Sequence, residues 1–135
     1  NDPRYARVTH ILLDPSCSSS GMSKTPEKAP AAIRELADAQ LELVLHAMRF
    51  PALQELCYST CSVYDEENER VVAAVLEAQA SRGKHARRFE LTHALPAWPR
   101  RGRELEGLEP ALARQLAQRV VRTAYPDDGT IGFFP

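Results

Sequence analysis

Short continuous apolar runs alternate with longer, periodically apolar stretches along this chain. Residues 7–13 (Arg-Val-Thr-His-Ile-Leu-Leu) are short, rich in aliphatic and β-branched side chains, and stop at Asp14-Pro15. That pattern predicts a buried β-strand closed by a turn. Residues 15–30, with Ser, Gly and several prolines, predict a loop. Over 31–49, Ile33, Leu36, Leu43, Val44 and Ala47 recur near helical spacing. Arg34, Glu35, Asp38 and Glu42 take the other faces, and Phe50-Pro51 ends the pattern. A second strand is predicted over 54–60. Asp65-Glu66-Glu67-Asn68-Glu69 then predicts the start of a second helix reaching Ala80. Its acids lie where the helix dipole favours negative charge, and Val71, Val72, Val75 and Leu76 supply the buried stripe. Beyond that the pattern predicts a third strand at 87–93, an irregular segment around Pro96, Trp98 and Pro99, and a short helix from Pro110 to Gln118. Strands are predicted over 119–123 and, after the Pro126-Asp127-Asp128 turn, over 129–134.

Strand, helix, strand, helix, strand is the order of an α/β fold with a parallel sheet. Parallel neighbours end at the same sheet edge, about 4.8 Å apart, and ligands of such sheets bind beyond the carboxyl ends of the strands. If the first two strands are neighbours, the turns at their carboxyl ends meet over one cleft. Those turns are Asp14-Pro15-Ser16-Cys17-Ser18-Ser19-Ser20-Gly21-Met22 and Tyr58-Ser59-Thr60-Cys61-Ser62. A strand feeding a polar, cysteine-bearing turn, twice in one chain, is the pattern expected of a paired-cysteine active site.

Composition limits the alternatives. A chain of 135 residues, 44% hydrophobic and 26% charged, is enough for one ordinary domain. With a formal net charge of −1, no overall field draws it to a polyanion. Nucleic-acid contact would need a local patch. Arg82, Lys84, Arg87 and Arg88, then Arg100, Arg101 and Arg103, are candidates, and a solvated basic face is the equally open alternative. No apolar stretch approaches the roughly 20 residues that would span a membrane. Three cysteines are an odd, low count, which argues against a disulfide framework and for a reducing compartment. Cys57, inside the second strand, is expected to be a buried small hydrophobe. Cys57 and Cys61 lack further ligands at metal-site spacing, so no metal is expected. The serines at 18–20 lack the Gly that a nucleophile elbow needs two residues earlier. His10, His46, His85 and His93 share no motif with the cysteines and are expected to be structural, as is Trp98. Phe133 and Phe134 are expected to give one packing residue and one near the ligand cleft.

Asp14 to Met22, Tyr58 to Ser62, Glu66-Glu67-Asn68-Glu69 and Gly132-Phe133-Phe134 together resemble the NOL/NOP/Sun RNA cytosine-5 methyltransferases. Leu95-Pro96-Ala97-Trp98-Pro99 and Arg101-Gly102 further resemble the branch that modifies large-subunit ribosomal RNA. The resemblance implies an α/β fold, the carboxyl-terminal half of a Rossmann-like S-adenosylmethionine-dependent methyltransferase sheet. Residues 1–135 are then a partial catalytic domain, with an upstream cofactor-binding half expected before it. That half carries the family's Gly-rich loop, ribose- and adenine-binding acids and catalytic Lys, none of which is matched here. An unpaired edge on the first strand would make the isolated chain poorly soluble or dimeric unless another segment covers it.

The implied reaction is methyl transfer from S-adenosylmethionine to carbon 5 of a cytosine in RNA, with rRNA as partner and the nucleus or nucleolus as location. Cytosine does not give up its carbon-5 hydrogen unaided, so a thiolate first adds at carbon 6 and an acid stabilises the developing charge. By resemblance Cys61 is the nucleophile and Cys17 the cysteine that assists product release. Asp14 is the acid touching both cofactor and base, and Pro15 shapes the cofactor-side turn. The catalytic set is therefore Cys61, Cys17 and Asp14, and the cofactor-binding set Asp14 and Pro15. One departure is Ser19, where the family usually has Gly in Cys-Ser-Gly-Ser-Gly; a Ser there is expected to strain the turn. Asn68 is a candidate for fixing the Cys61 loop, and Glu66 to Glu69 otherwise read as a helix N-terminus. The alternative function is a non-catalytic RNA-binding or assembly protein that keeps the fold.

Overall fold

A computed structural model describes residues 2–22, 28–82 and 87–122. A 3-10 turn, Pro3–Tyr5, leads to strand β1, His10–Leu13. Helix α1 runs from Pro30 to Ala47, strand β2 from Glu55 to Tyr58, helix α2 from Glu69 to Ala80 and helix α3 from Pro110 to Arg119. Pro30 begins α1 and Pro110 begins α3, where a missing N–H costs no intrahelical bond. The Glu109 carboxylate caps α3 by accepting the N–H groups of Ala111 and Leu112, which hold it below the usual carboxylate range.

β1 and β2 pair in parallel, with Leu12 opposite Cys57 and Leu13 opposite Tyr58, and among the described residues the sheet has these two strands. Thr9 O accepts the Gln54 and Glu55 amides at one end, and Leu13 O accepts the Ser59 amide at the other. This is the expected βαβ unit, with its two strands ending side by side. Both helices cover one face of it. Val44 of α1 and Met48 just past its end meet Val71 and Val75 of α2, and Leu13, Leu56 and Tyr58 pack against that cluster from the sheet. Among the described residues no helix is long and apolar enough to cross a membrane.

The strands are shorter and less buried than their composition predicts. Along both, burial alternates, and His10, Leu12, Glu55 and Cys57 lie on the outward face. Leu12 is 74% exposed, and Cys57 is exposed rather than a buried hydrophobe. Side chains of paired parallel residues share a face, so Cys57 goes with Leu12 to the side opposite α1 and α2. The stripe of α1 is also shifted. Leu43 is 45% exposed, while Gln40 is 1% exposed because its amide finds partners in the interior.

The second helix does not begin at Asp65. Asp65–Glu67 form a 3-10 turn, Asn68 leaves helical geometry at φ −123° and ψ −98°, and α2 starts at Glu69. Residues 87–93 form no strand. The Phe89 amide donates to Gln79 Oε1, Arg87 reaches Phe50 O and Pro51 O, and Arg119 reaches Leu91 O. Side chains thus satisfy backbone groups that a ladder would otherwise use. Of the strand expected over 119–123, an antiparallel bridge between Arg101 and Val121 is present. Trp98 anchors it, its indole N–H donating to Arg122 O at 2.8 Å. The expected strand over 129–134, with Phe133 and Phe134, lies outside the described residues, as do His85 and Lys84.

Arg122 ties this last segment to the rest. Its residue is 4% exposed, and its guanidinium bonds Glu69, Val63 O at 2.6 Å and Asp65 Oδ1 at 2.6 Å. Burial alone would lower its pKa, but Glu69 and Asp65 outweigh that and raise it. Replacing Arg122 by Met should destabilise the fold by about 3–5 kcal/mol, because Glu69, 0% exposed, would keep a buried charge without its cation. Urea denaturation of the two proteins measures this.

The turn after Cys17 provides a second expectation. Ser19 has φ 59°, the left-handed region in which a side chain costs about 1–2 kcal/mol. Ser19→Gly removes that strain, while the freer unfolded chain takes back about 0.4–1 kcal/mol. A net gain of up to about 1 kcal/mol in thermal or urea unfolding is expected; a loss would mean the Ser19 side chain makes a favourable contact.

Candidate active site

Two polar turns leave the adjacent ends of β1 and β2 and fold against each other. Asp14 comes directly after β1, and its Oδ1 accepts the hydroxyl of Ser59, which comes directly after β2, at 3.2 Å. The turns then touch through backbone. Gly21 N donates to Cys61 O at 2.8 Å, and a Cβ on Gly21 would stand 2.8 Å from that same oxygen. Only a residue without a side chain permits this approach. The outcome is that Cys17 Sγ and Cys61 Sγ lie 3.1 Å apart, both half-buried and both free thiols. Burial pushes the Cys17 thiol above its ordinary 9.0, and the Cys61 contact adds to it, so Cys17 carries its proton at neutral pH.

Beneath the thiols is a buried carboxylate. Glu67 is 0% exposed. Its Oε1 accepts from Ser18 N at 2.8 Å and from Gln40 Nε2 at 3.0 Å, and its Oε2 accepts the Ser62 hydroxyl at 2.5 Å. Gln40 also donates to Ser16 O at 3.0 Å. The Tyr58 hydroxyl sits 2.9 Å from Gln40 Oε1 and 2.7 Å from Glu67 O, so its one proton is shared between them. Burial, then the negative charge of Glu67, pushes the Tyr58 phenol well up from its ordinary range. Ser20 Oγ accepts the Val63 amide at 3.0 Å and stands 3.3 Å from Ser62 Oγ. Every element around the cysteines is thereby joined to the same network.

Asn68 holds the Cys61 turn from the other side. It accepts the Thr60 hydroxyl at 2.8 Å and donates to Ser62 O at 3.0 Å and Tyr64 O at 2.7 Å. These bonds account for its departure from helical geometry. The acidic run is therefore more than a helix N-terminus. Glu67, Asn68 and Glu69 all turn inward, and Glu66 stays exposed.

Of the residues singled out in the sequence, Cys17, Cys61, Asp14 and Pro15 come together at one edge of the parallel pair. Asp14 is exposed and Pro15 half-buried. Two candidate cations for a basic patch are partly committed elsewhere. Arg87 bonds carbonyls at 50 and 51, and Arg101 those of Ala94, Leu95 and Pro96. Sequence reasoning missed Glu67, Gln40, Tyr58, Ser62 and Arg122. Tyr58, Ser62 and Glu67 stand within the motifs that carry the resemblance, and Gln40 is a polar residue one turn before Val44, on the apolar stripe of α1.

Comparison with known proteins identifies the family. A family model described as 16S rRNA methyltransferase RsmB/F matches residues 2–97. The chain is 44% identical over 111 residues to the 28S rRNA (cytosine-C(5))-methyltransferase of Mus musculus, covering 76% of this chain and 22% of that protein. It is 35% identical over 146 aligned positions to the 25S rRNA (cytosine-C(5))-methyltransferase rcm1 of Schizosaccharomyces pombe, covering 98% of this chain and 30% of that protein. The 25S rRNA (cytosine-C(5))-methyltransferase NSUN5 of Arabidopsis thaliana is 37% identical over 115 residues, covering 75% of this chain and 19% of its own. The chain thus spans less than a third of the length of each of these relatives. With the family's cysteine turns side by side at one strand edge, this chain belongs to the 16S rRNA methyltransferase RsmB/F family.

Proposed function

We propose that this chain carries the catalytic cysteine pair of an RNA cytosine-5 methyltransferase acting on large-subunit rRNA. The observation that supports it most is the 3.1 Å approach of Cys17 Sγ and Cys61 Sγ, from turns at the ends of two adjacent parallel strands. The relatives' names give the substrate class. In this reading β1 and β2 are neighbours within a larger Rossmann-like sheet. Residues 1–135 form part of a catalytic domain whose remaining cofactor-binding half lies upstream. A nuclear or nucleolar site of action is what a large-subunit rRNA substrate in a eukaryote entails.

Cys61 is the attacking thiolate. It adds to carbon 6 of the target cytosine, which makes carbon 5 nucleophilic. After methylation a base takes the carbon-5 proton, the electron pair of that C–H bond forms the ring double bond, and the Cys61 sulfur leaves as a thiolate. Cys17 keeps its proton at neutral pH and stands next to that sulfur, a place from which it can assist the departure. Asp14, exposed at the end of β1 with one oxygen on Ser59, fits a group that contacts both the base and the methyl donor. Asp14 and Pro15 fit the edge at which ligands of parallel sheets bind. S-adenosylmethionine, when bound, supplies an electrophilic methyl group. The non-catalytic alternative rests on Ser19 and on the unmatched cofactor-binding motifs; the cysteine turn nonetheless closes with Ser19 in the left-handed region, at φ 59°.

In the full-length protein, Cys61→Ala should abolish both methylation and the denaturation-resistant adduct with RNA containing 5-azacytidine. Methylation by that variant would remove Cys61 from its role. Cys17→Ala should instead let a covalent RNA complex accumulate, seen as a slow band on a denaturing gel; a clean gel would count against release by Cys17. Alkylation of Cys17 by iodoacetamide, monitored by mass spectrometry, should have its midpoint above pH 9.0, since the thiolate is the reactive form. Cys61→Ala should move that midpoint downward, because the Cys61 contact is one of the two main causes of the shift.

A further inference from the structure

The residue after each cysteine is held by the same carboxylate. Ser18 comes after Cys17, and its amide donates to Glu67 Oε1 at 2.8 Å. Ser62 comes after Cys61, and its hydroxyl donates to Glu67 Oε2 at 2.5 Å. The two oxygens of a carboxylate keep a fixed separation, so these bonds fix the distance between the turns one residue beyond each thiol. Glu67 cannot drift, because Gln40 donates to Oε1 from α1 and Tyr58 donates to the Glu67 carbonyl from β2. At 0% exposure no water competes for it. Charge-assisted bonds to a buried carboxylate are about twice as strong as neutral ones. Asn68, by contrast, grips the Cys61 turn alone.

We infer that Glu67 is a positioning residue that sets the spacing of the Cys17–Cys61 pair through Ser18 N and Ser62 Oγ. Its catalytic importance rests on the methyltransferase function proposed for the pair; the spacing itself does not. The role is geometric, so the charge is dispensable. A Gln at 67 can keep Oε1 on Ser18 N and Gln40 while its NH2 donates to Ser62 Oγ, provided the Ser62 hydroxyl turns its proton to Ser18 Oγ, 3.1 Å away, and Ser18 Oγ keeps donating to Ser20 Oγ. An Ala at 67 leaves Ser18 N without its acceptor, leaves the Gln40 amide with Ser16 O alone, and removes the carboxylate link between the two turns.

The test uses the full-length protein and two readouts. One is the rate at which diamide, taking the two thiol hydrogens, joins Cys17 to Cys61, monitored by mass spectrometry. The other is the kcat and KM of RNA methylation. Glu67→Ala should slow the crosslink and lower kcat, each by between about 10- and 100-fold, with KM for RNA within about twofold. Glu67→Gln should return both rates to within about threefold of the parent. If Glu67→Ala does not fold, Ser62→Ala removes the Oε2 link while leaving Oε1 on Ser18 N, together with the bonds that Ser62 Oγ accepts from Ser18 Oγ and Tyr64 N, and should slow the crosslink at least about fivefold. A folded Glu67→Ala or Ser62→Ala protein that crosslinks at the parent rate overturns the inference. So does a Glu67→Gln protein as impaired as Glu67→Ala, since charge rather than position would then be at work. A Glu67-dependent crosslink in a protein that methylates no RNA would uphold the positioning role and defeat the methyltransferase reading.

Discussion

A carboxylate withdrawn from water has to be met by donors, and at Glu67 those donors come from the elements that frame the two cysteines. The turn after β1 supplies Ser18 N, α1 supplies Gln40, the turn after β2 supplies the Ser62 hydroxyl, and β2 supplies Tyr58 to the carbonyl of the same residue. A buried carboxylate left without partners costs several kcal/mol, so each of these elements is constrained by the others. The α1–β2 packing and the thiol geometry are therefore parts of one arrangement. Gln40 belongs to both: it sits on the buried stripe of α1, yet its amide reaches Ser16 O and Glu67.

A second buried acid, two residues on, does for the distal segment what Glu67 does for the cysteines. Glu69 receives the Arg122 guanidinium and the Arg103 amide, and Arg122 also reaches Val63 O just beyond the Cys61 turn. Residues 100–122 are thus fastened to the site's outer side by one cation. Pairing compensates the desolvation of both partners, which burial alone would not allow. Between the two acids Asn68 leaves helical geometry and commits its side chain to the Cys61 turn. The four residues Glu66 to Glu69 look uniform as an acidic run, but only Glu66 behaves as a solvated helix-end charge.

That contrast marks where the sequence was legible. The βαβ order, the two cysteine turns and their meeting at one strand edge are encoded in apolar runs bounded by Asp-Pro and Phe-Pro breaks, which are local signals. Asp14, Cys17 and Cys61 could be expected at one edge because each follows closely on an apolar run that forms a strand. Leu12 and Cys57 read as buried because composition does not say whether a sheet has helices on one face or two. Residues 87–93 look like a strand, yet Gln79 and Arg119 satisfy their backbone through side chains distant in sequence. Glu67 and Arg122 were illegible for the same reason: a charged residue reads as surface until its partner is known, and their partners lie up to 59 positions away.

The two sides of the site differ in how firmly they are held. The thiols are preorganised: backbone contact through Gly21, the Glu67 carboxylate and the serine hydroxyls all constrain them without any ligand. Asp14 is exposed, and its described bond is one 3.2 Å contact from Ser59, which an incoming donor could replace at little cost. In the proposed reaction, bond-making to a ring carbon demands the stricter geometry, since an ångström of misplacement there costs about a hundredfold in rate. Recognition of a base or a donor tolerates adjustment on binding. A rigid pair of thiols beside an adaptable acid is the division that those two demands would produce, and it places the stabilising buried interactions under the cysteines rather than under Asp14.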